Sequence, residues 1–233
     1  MTRSSASPLR LVRLADVTAA EAYRVLDALS PRQGSIDLRP RGYLLDLAIR
    51  GPEEILEDLV LHVREAFAER VYGVGEDSLA AVVIERLRRA GMTVSSAESC
   101  TGGWVGAALT SIAGASTAYW GGIVAYDDAA KMEWLGVRPE ALRRFGAVSE
   151  EVALEMARGL QRRSGTSLAV AVTGIAGPGG GTVEKPVGTV WIASAGPREA
   201  SRRFRFAGGR REVRKQAVQA TLDEVRRCCP ATG

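Results

Sequence analysis

Apolar and polar positions alternate in two rhythms along this chain, and the rhythm changes near residue 74. Before that point "LRLVRL", from Leu9, reads as a strand, and "TAAEAYRVLDAL" reads as a helix opened by Thr18 and Glu21 in capping-box register. The segments "SIDLRP" and "GYLLDLAI" predict a hairpin. A long amphipathic helix follows, opened by Pro52 and carrying Ile55, Leu59, His62 and Phe67 at roughly helical spacing. Behind a loose tail over residues 1–8, these elements make a small α+β domain over residues 9–74, and the glycines of "RVYGVGEDS" mark its end.

Over residues 75–229 helices alternate with apolar strands. "DSLAAVVIERLRRAG" places Leu79, Val82, Val83 and Leu87 on one face and stops at Gly91, a C-cap. Strands are predicted at "MTVSSA", "GGIVAY", "SLAVAVTG", "PVGTVWIAS" and "SRRFRF", with helices at 101–112, 149–163 and 209–227. The second of these helices carries Val148, Val152, Met156 and Leu160 at four-residue spacing, and the third carries Val218, Leu222 and Val225. Near-continuous apolar strands separated by helices imply a sheet covered on both faces, a three-layer α/β/α domain. The turn between the last two strands is too short for a helical crossover, so the sheet is expected to be mixed.

Composition narrows the class. A chain of 233 residues that is 46% hydrophobic and 25% charged can bury a sizeable core, which excludes disordered and fibrous classes. The three cysteines, two of them the adjacent pair Cys228 and Cys229, make neither a disulfide framework nor a zinc site, and no metal is expected. No apolar run reaches the ~18 residues needed to span a bilayer, and "MTRSSASPLR" lacks the apolar core of a signal peptide, so a cytoplasmic protein without membrane contact is expected. Basic residues, 31 against 27 acidic, gather in "PREASRRFRFAGGRREVRKQ", either as a solvated helix face or as an anion contact.

Candidate chemistry sits in two glycine-bearing stretches. "ESCTGGWVG" falls at a strand-to-helix turn, where open α/β sheets place ligands. The N–H groups of the first helical turn are expected to point at whatever lies beside Ser99, Cys100 and Thr101, an anion or oxyanion pocket. Ser99 reads as an N-cap or a nucleophile, and Cys100 as a small buried hydrophobe or a nucleophile. The one histidine, His62, falls in the first domain and reads as helix filler, so a nucleophilic serine needs another base.

"GGIVAYDDAAK" supplies Tyr126 at a strand end and Lys131 five residues later. Lysine is scarce here, the others being Lys185 and Lys215, and arginine cannot serve as a base, which favours a chemical role for Lys131 over a surface pair with Asp128. "TGIAGPGGGTVEKPVG" can bring several backbone N–H groups to one anion, or can act as a simple lid. Arg210, near a helix start, is a further anion contact.

The blocks "AESCTGG", "VAYDDAAK", "LGV", "GAVSEE", "TGIAGPGGG" and "EKPVGTVW" resemble, in order, the CinA C-terminal family, which includes nicotinamide-nucleotide amidohydrolases. The resemblance covers residues from about 78 to 227, and residues 9–74 resemble the KH-type middle domain of longer CinA proteins. It implies hydrolysis of nicotinamide mononucleotide to nicotinic acid mononucleotide and ammonia, with Ser99, Tyr126 and Lys131 as catalytic residues and the family's arginine on Arg210, with Arg211 and Arg214 as the alternatives. Under this reading backbone groups of Cys100, Thr101, Gly102 and Gly103 hold an oxyanion, while Gly174, Ile175, Ala176, Gly177 and Arg210 grip the phosphate.

No cofactor is expected, and family precedent implies a homodimer. Nucleic acid is not an expected partner, because "GxxG", the backbone clamp of a KH module, does not occur in residues 9–74. Asp127-Asp128 depart from the Ser or Asn common after the family's tyrosine, and a carboxylate there holds a lysine in its charged form and blunts it as a base. The competing reading is a non-catalytic nucleotide-sensing or interaction module linked to competence or DNA damage.

Overall fold

The computed structural model describes residues 8–27 and 34–230; all but the last residue of the predicted tail over residues 1–8, and the end of the first predicted helix, lie outside them. The chain divides into two compact units between Leu79 and Ala80. The first contains β1 (Leu9–Ala15), α1 (Ala19–Asp27), β2 (Ser35–Arg41), β3 (Leu44–Arg50), α2 (Glu53–Phe67) and β4 (Val71–Val74). All its strand pairs are antiparallel and the order is β2-β3-β1-β4, the split βαβ arrangement of an α+β unit. The KH-type character of this unit rests on the sequence resemblance alone.

Local chemistry explains most of these elements. Thr18 Oγ1 accepts the Glu21 N–H at 3.1 Å and so caps α1. Helix α2 turns Leu56, Val60, Val63 and Phe67 onto Val12, Leu14, Leu45, Leu47 and Ile49. That face is rotated from the expected one: Ile55 is half-buried, and the exposed His62 sets Nδ1 2.6 Å from Asp58 O one turn earlier. Strand β4 occupies the stretch read as a domain boundary. Four residues including a glycine carry no legible period, and pairing with β1 is what orders them.

The second unit is built from α3 (Leu79–Arg89), β5 (Val94–Glu98), α4 (Trp104–Thr110), β6 (Tyr119–Val124), α5 (Asp128–Leu135), α6 (Pro139–Phe145), α7 (Glu150–Ser164), β7 (Leu168–Gly174), β8 (Thr189–Ala195), β9 (Ala200–Arg205) and α8 (Arg210–Cys228). Its sheet has the order β6-β5-β7-β8-β9, with β5 parallel to both neighbours and β8 and β9 antiparallel, so it is mixed. Helix α7 packs Val152, Met156 and Leu160 against Ala97, Ala169, Ala171, Ala193 and Ala195. Ser194, between two of those alanines, faces the opposite way and donates to Glu224 of α8 at 3.0 Å. Helices therefore cover both faces of the sheet.

Two differences from the sequence reading bear on the site. Helix α4 begins at Trp104 instead of 101, because Gly102 and Gly103 take left-handed φ values of 57° and 88°. Helices α5 and α6 were not separately expected. The inward residues of α5 are Lys131 and Leu135, so a buried lysine breaks the apolar stripe that would announce a helix. Helix α6 is only seven residues long, with Pro139 at its start.

Gly159 of α7 lies against the last carbonyl of α5: a Cβ there would overlap the backbone oxygen of Leu135. Alanine gains ~1 kcal/mol of helix propensity, but forcing a methyl into packed backbone costs ~1–3 kcal/mol or more. Gly159→Ala is expected to lower the urea midpoint of unfolding and to shift α5, with Lys131, away from α7. A midpoint equal to or above that of the unmutated chain would show that the two helices separate without cost.

Candidate active site

Ser99 sits where β5 ends, and its N–H donates to Val172 O of β7 at 2.9 Å. Strand β5 lies between β6 and β7 and runs parallel to both, so the chain leaves its carboxyl end at the point where the strand order reverses. Open α/β sheets leave a crevice at such a point. The side chain of Ser99 is largely buried, and its Oγ has no hydrogen-bond partner among the described residues.

The N–H groups around Ser99 are distributed differently from expectation. Gly103, not Ser99, occupies the N-cap position of α4. The helix start is satisfied by Glu98, which the sequence reading passed over: its Oε2 accepts the Val105 N–H at 3.0 Å and its Oε1 the Gly106 N–H at 2.8 Å. The carboxylate is 2% exposed and fixed by these two donors and the helix dipole. The first α4 N–H groups are thus spent inside the protein. Gly102 N–H is also engaged, on Ser99 O at 3.1 Å. Among the described residues the N–H groups of Thr101 and Gly103 have no protein acceptor, and the buried Thr101 Oγ1 has no partner either.

Cys100 faces the interior. Burial first, and then the neighbouring Glu98 carboxylate, push its thiol up to about 12, with only partial relief from its own backbone N–H, Arg214 and Arg210. A neutral, sequestered thiol is a poor nucleophile. Of the two nucleophile candidates Ser99 and Cys100, it is Ser99 whose side chain is free of protein partners among the described residues.

Tyr126 and Lys131 follow β6. Ala125 N–H donates to Glu98 O at 2.9 Å, so Ser99 and Tyr126 leave neighbouring strands side by side. The Lys131 side chain is 2% exposed, and its Nζ donates to Tyr126 O at 3.1 Å and to Asp128 Oδ1 at 3.0 Å. The pairing with Asp128 that was weighed against a chemical role is therefore present, but on a buried lysine and not on a surface one. Asp127 takes a separate task, accepting the Ala129 N–H at 2.8 Å as the N-cap of α5.

Arg210 joins three parts of the site. Its Nη2 donates to Tyr126 Oη at 2.9 Å and its Nη1 to Gly177 O at 2.9 Å. The glycine-rich loop thus offers Arg210 a carbonyl. Ile175 N–H is spent on Thr189 O, and Gly188 N–H closes the loop base on Ile175 O, both at 2.8 Å. Gly174 ends β7 against Val190 and Ala176 is buried, so this part of the loop is packed. Arg214, one turn along α8, meets the serine turn: Nε lies 3.1 Å from Cys100 O and Nη2 2.7 Å from Thr101 O. Other residues of the basic stretch have structural roles, such as Arg203 donating to Glu184 O at 2.8 Å. Among the described residues no cluster of three His, Cys, Asp or Glu is placed to hold a metal, and no helix is long and apolar enough to cross a membrane.

The second unit is a mixed α/β domain in which the turn after Ser99, at the reversal of strand order, meets Arg214, while Tyr126 on the neighbouring strand end meets Lys131 and Arg210. The family model described as "CinA C-terminal domain" matches residues 76–229, and the chain belongs to that family. It is 44% identical over 176 residues to a "CinA-like protein" of Kosmotoga olearia, covering 75% of this chain and 43% of that one. A "CinA-like protein" of Myxococcus xanthus is 38% identical over 237 residues, covering 96% of this chain and 56% of its own. The chain spans about half the length of the curated relatives it matches. Among solved structures, the competence/damage inducible protein CihA from Agrobacterium tumefaciens superposes with a TM-score of 0.63 at 45% identity, over 64% of this chain and 92% of that one.

All three cysteines are buried, and burial also pushes Cys228 up to about 12. Native protein at pH 8 is expected to leave them unmodified by iodoacetamide, with full labelling only after unfolding. The same shifts set a pH dependence. Below pH 9 both states keep their protons; above it the unfolded thiols, with the ordinary value of 9.0, ionise while the native ones do not. Stability should then fall by ~1.4 kcal/mol per pH unit for each such thiol between about pH 9 and 12. Rapid native labelling of Cys100 at pH 8 would contradict its burial.

Proposed function

We propose that this protein hydrolyses the carboxamide of nicotinamide mononucleotide, releasing ammonia and nicotinic acid mononucleotide. The observation that supports the reading is the placement, at the ends of the neighbouring strands β5 and β6, of an unpartnered Ser99 hydroxyl and of Tyr126, whose carbonyl meets the buried Lys131 and whose hydroxyl Arg210 ties to the glycine-rich loop. Ser99 Oγ attacks the carboxamide carbon while Lys131, in its neutral form, takes the hydroxyl proton, directly or across Tyr126. The Gly103 N–H, on a part-exposed residue and without a protein acceptor, receives the oxyanion; Gly102, whose N–H is engaged, and Thr101, which is fully buried, do not. The C–N bond breaks as the proton passes to the leaving nitrogen, ammonia departs, and water cleaves the acyl-serine to the carboxylic acid. Arg210 supplies positive charge for the 5′-phosphate beside the loop at Gly177.

One observation favours the non-catalytic alternative, a nucleotide-sensing or interaction module of the kind that the competence/damage-inducible names of relatives evoke. Lys131 Nζ is already engaged, on Asp128 Oδ1 at 3.0 Å and on Tyr126 O at 3.1 Å, contacts it would have to give up to act on Ser99. The two readings part in a single assay series. For the enzyme, Ser99→Ala and Lys131→Ala each lower ammonia release from nicotinamide mononucleotide by at least ~10²-fold, the usual scale of a lost acid–base group, with calorimetric binding of the nucleotide retained. Asp128→Asn, which removes the pairing anion, is expected to raise turnover at neutral pH. Binding without ammonia release in the unmutated chain selects the sensing module, and full turnover by Lys131→Ala removes the lysine as base.

A further inference from the structure

We propose that a cavity beside the start of α7 is a second ligand site, one that takes an aromatic α-amino acid in its zwitterionic form. The cavity has a volume of about 280 Å³, just below the ~300–1,000 Å³ of pockets for drug-sized ligands, which suits one small molecule. Ser99, Tyr126, Lys131 and Arg210 are not among its lining residues, so it is separate from the candidate active site. The proposal does not rest on the amidohydrolase reading.

Strands β8 and β9 set the floor. Trp191 and Arg203 are directly opposed in their ladder, and the next pair on that face is Ala193 and Ser201. Helix α7 covers Ala193, and Glu150 in its first turn accepts the Ser201 hydroxyl. Beyond the helix start Trp191 is only half-buried, and it walls the cavity together with Phe145. Two residues of strand rise about 7 Å, which separates the Ser201 end of this face from the Arg203 end.

Charges of both signs line the same space. Lys185 Nζ donates to the Phe145 carbonyl and Arg203 Nη2 to Glu184 O at 2.8 Å. The Glu184 carboxylate is turned to its own backbone N–H and to the Thr182 hydroxyl, which hold it below the ordinary carboxylate range. Glu151 has no partner among the described residues, and no ion pair joins Lys185 or Arg203 to Glu150 or Glu151 there. Opposite charges around one cavity attract, and the contacts to backbone and to Ser201 keep these apart. Each cation retains N–H groups to spend, Arg203 its Nε and Nη1 and Lys185 two of its three. A molecule with both charges and a ring matches this lining. Its carboxylate meets Lys185 and Arg203, its ammonium meets Glu151 and Glu150, and its ring lies on Trp191. A ligand with one charge leaves the opposite set unmatched. Residues 182–185, closed by Thr182 N–H on Lys185 O at 2.9 Å, belong to the glycine-rich loop whose Gly177 carbonyl Arg210 holds. The two sites therefore share a segment.

The test is calorimetric titration of the full chain with three probes that carry the same ring: L-phenylalanine, 3-phenylpropionate, which lacks the ammonium, and 2-phenylethylamine, which lacks the carboxylate. L-Phenylalanine is expected to bind at least ~10-fold more tightly than either, the scale of a hydrogen bond to a charged group. Arg203→Gln is expected to weaken L-phenylalanine by a similar factor and to leave 2-phenylethylamine unchanged. Glu151→Gln is expected to weaken L-phenylalanine and to leave 3-phenylpropionate unchanged. Ser99→Ala is expected to bind L-phenylalanine as the unmutated chain does. Where a variant fails to fold, the three-probe comparison on the unmutated chain decides. Absence of saturable L-phenylalanine binding overturns the proposal. Equal affinity for the three probes also overturns it, by reducing the cavity to an apolar groove. A Kd that responds to Ser99→Ala and not to Arg203→Gln overturns it in favour of binding at the candidate active site.

Discussion

The buried carboxylate of Glu98 is the contact on which the site's geometry depends. Removing a carboxylate from water is costly unless donors replace the lost hydration. Here Val105 and Gly106 N–H groups provide that replacement, one on each oxygen. The consequence reaches beyond the helix start. Because residue 98 binds residues 105 and 106, the chain between them must close into a loop, and that loop carries Ser99 at its first position. The glycines at 102 and 103 make the closure possible through left-handed backbone. A capping residue seven positions before its N–H partner is a tertiary device, and it leaves the serine hydroxyl outside the cap.

With helix α4 internally satisfied, charge at the site comes from elsewhere. The helix dipole is partly neutralised by Glu98, so positive potential at this strand end comes from guanidinium groups and isolated peptide N–H groups. Helix α8 delivers Arg210 and Arg214 from one face at four-residue spacing, while its following turns are buried among Val218, Leu222 and Val225. A long, well-packed helix is a stiff mount. Both arginines therefore act with little freedom, one toward Tyr126 and Gly177, the other toward the Ser99 turn.

Much of this was legible before any coordinates. Alternation of apolar strands with helices disclosed the mixed sheet, and Ser149, the cap of α7, lies at the start expected from Val152, Met156 and Leu160. The glycine pair after Ser99 located the turn. What escaped was whatever depends on partners distant in sequence. Glu98 looks like the last strand residue, and only the fold discloses that its carboxylate turns back to α4. Arg214 sat in a run of basic residues with no local signal separating it from Arg210 or Arg211. Strand β4 and helix α5 were missed for related reasons: the first is ordered by β1, and the second hides a lysine on its buried face. Spacing tells which residues share a face; it does not tell which backbone groups are already spent.

That last distinction bears most heavily on Lys131. An ammonium with a side chain 2% exposed requires compensation, and a buried ion left without a partner costs several kcal/mol. Asp128 and the Tyr126 carbonyl provide it. The contacts that make its burial tolerable therefore also occupy this nitrogen. The asymmetry of the pair matters here. The Asp128 side chain is 54% exposed, so water competes for it and screens the attraction. Its departure needs no rearrangement of the core, whereas Lys131 is fixed by α5 packing on α7 through Leu135 and Gly159. Of the two partners the acid is the movable one, and the energetic hold on the ammonium is set at the protein surface.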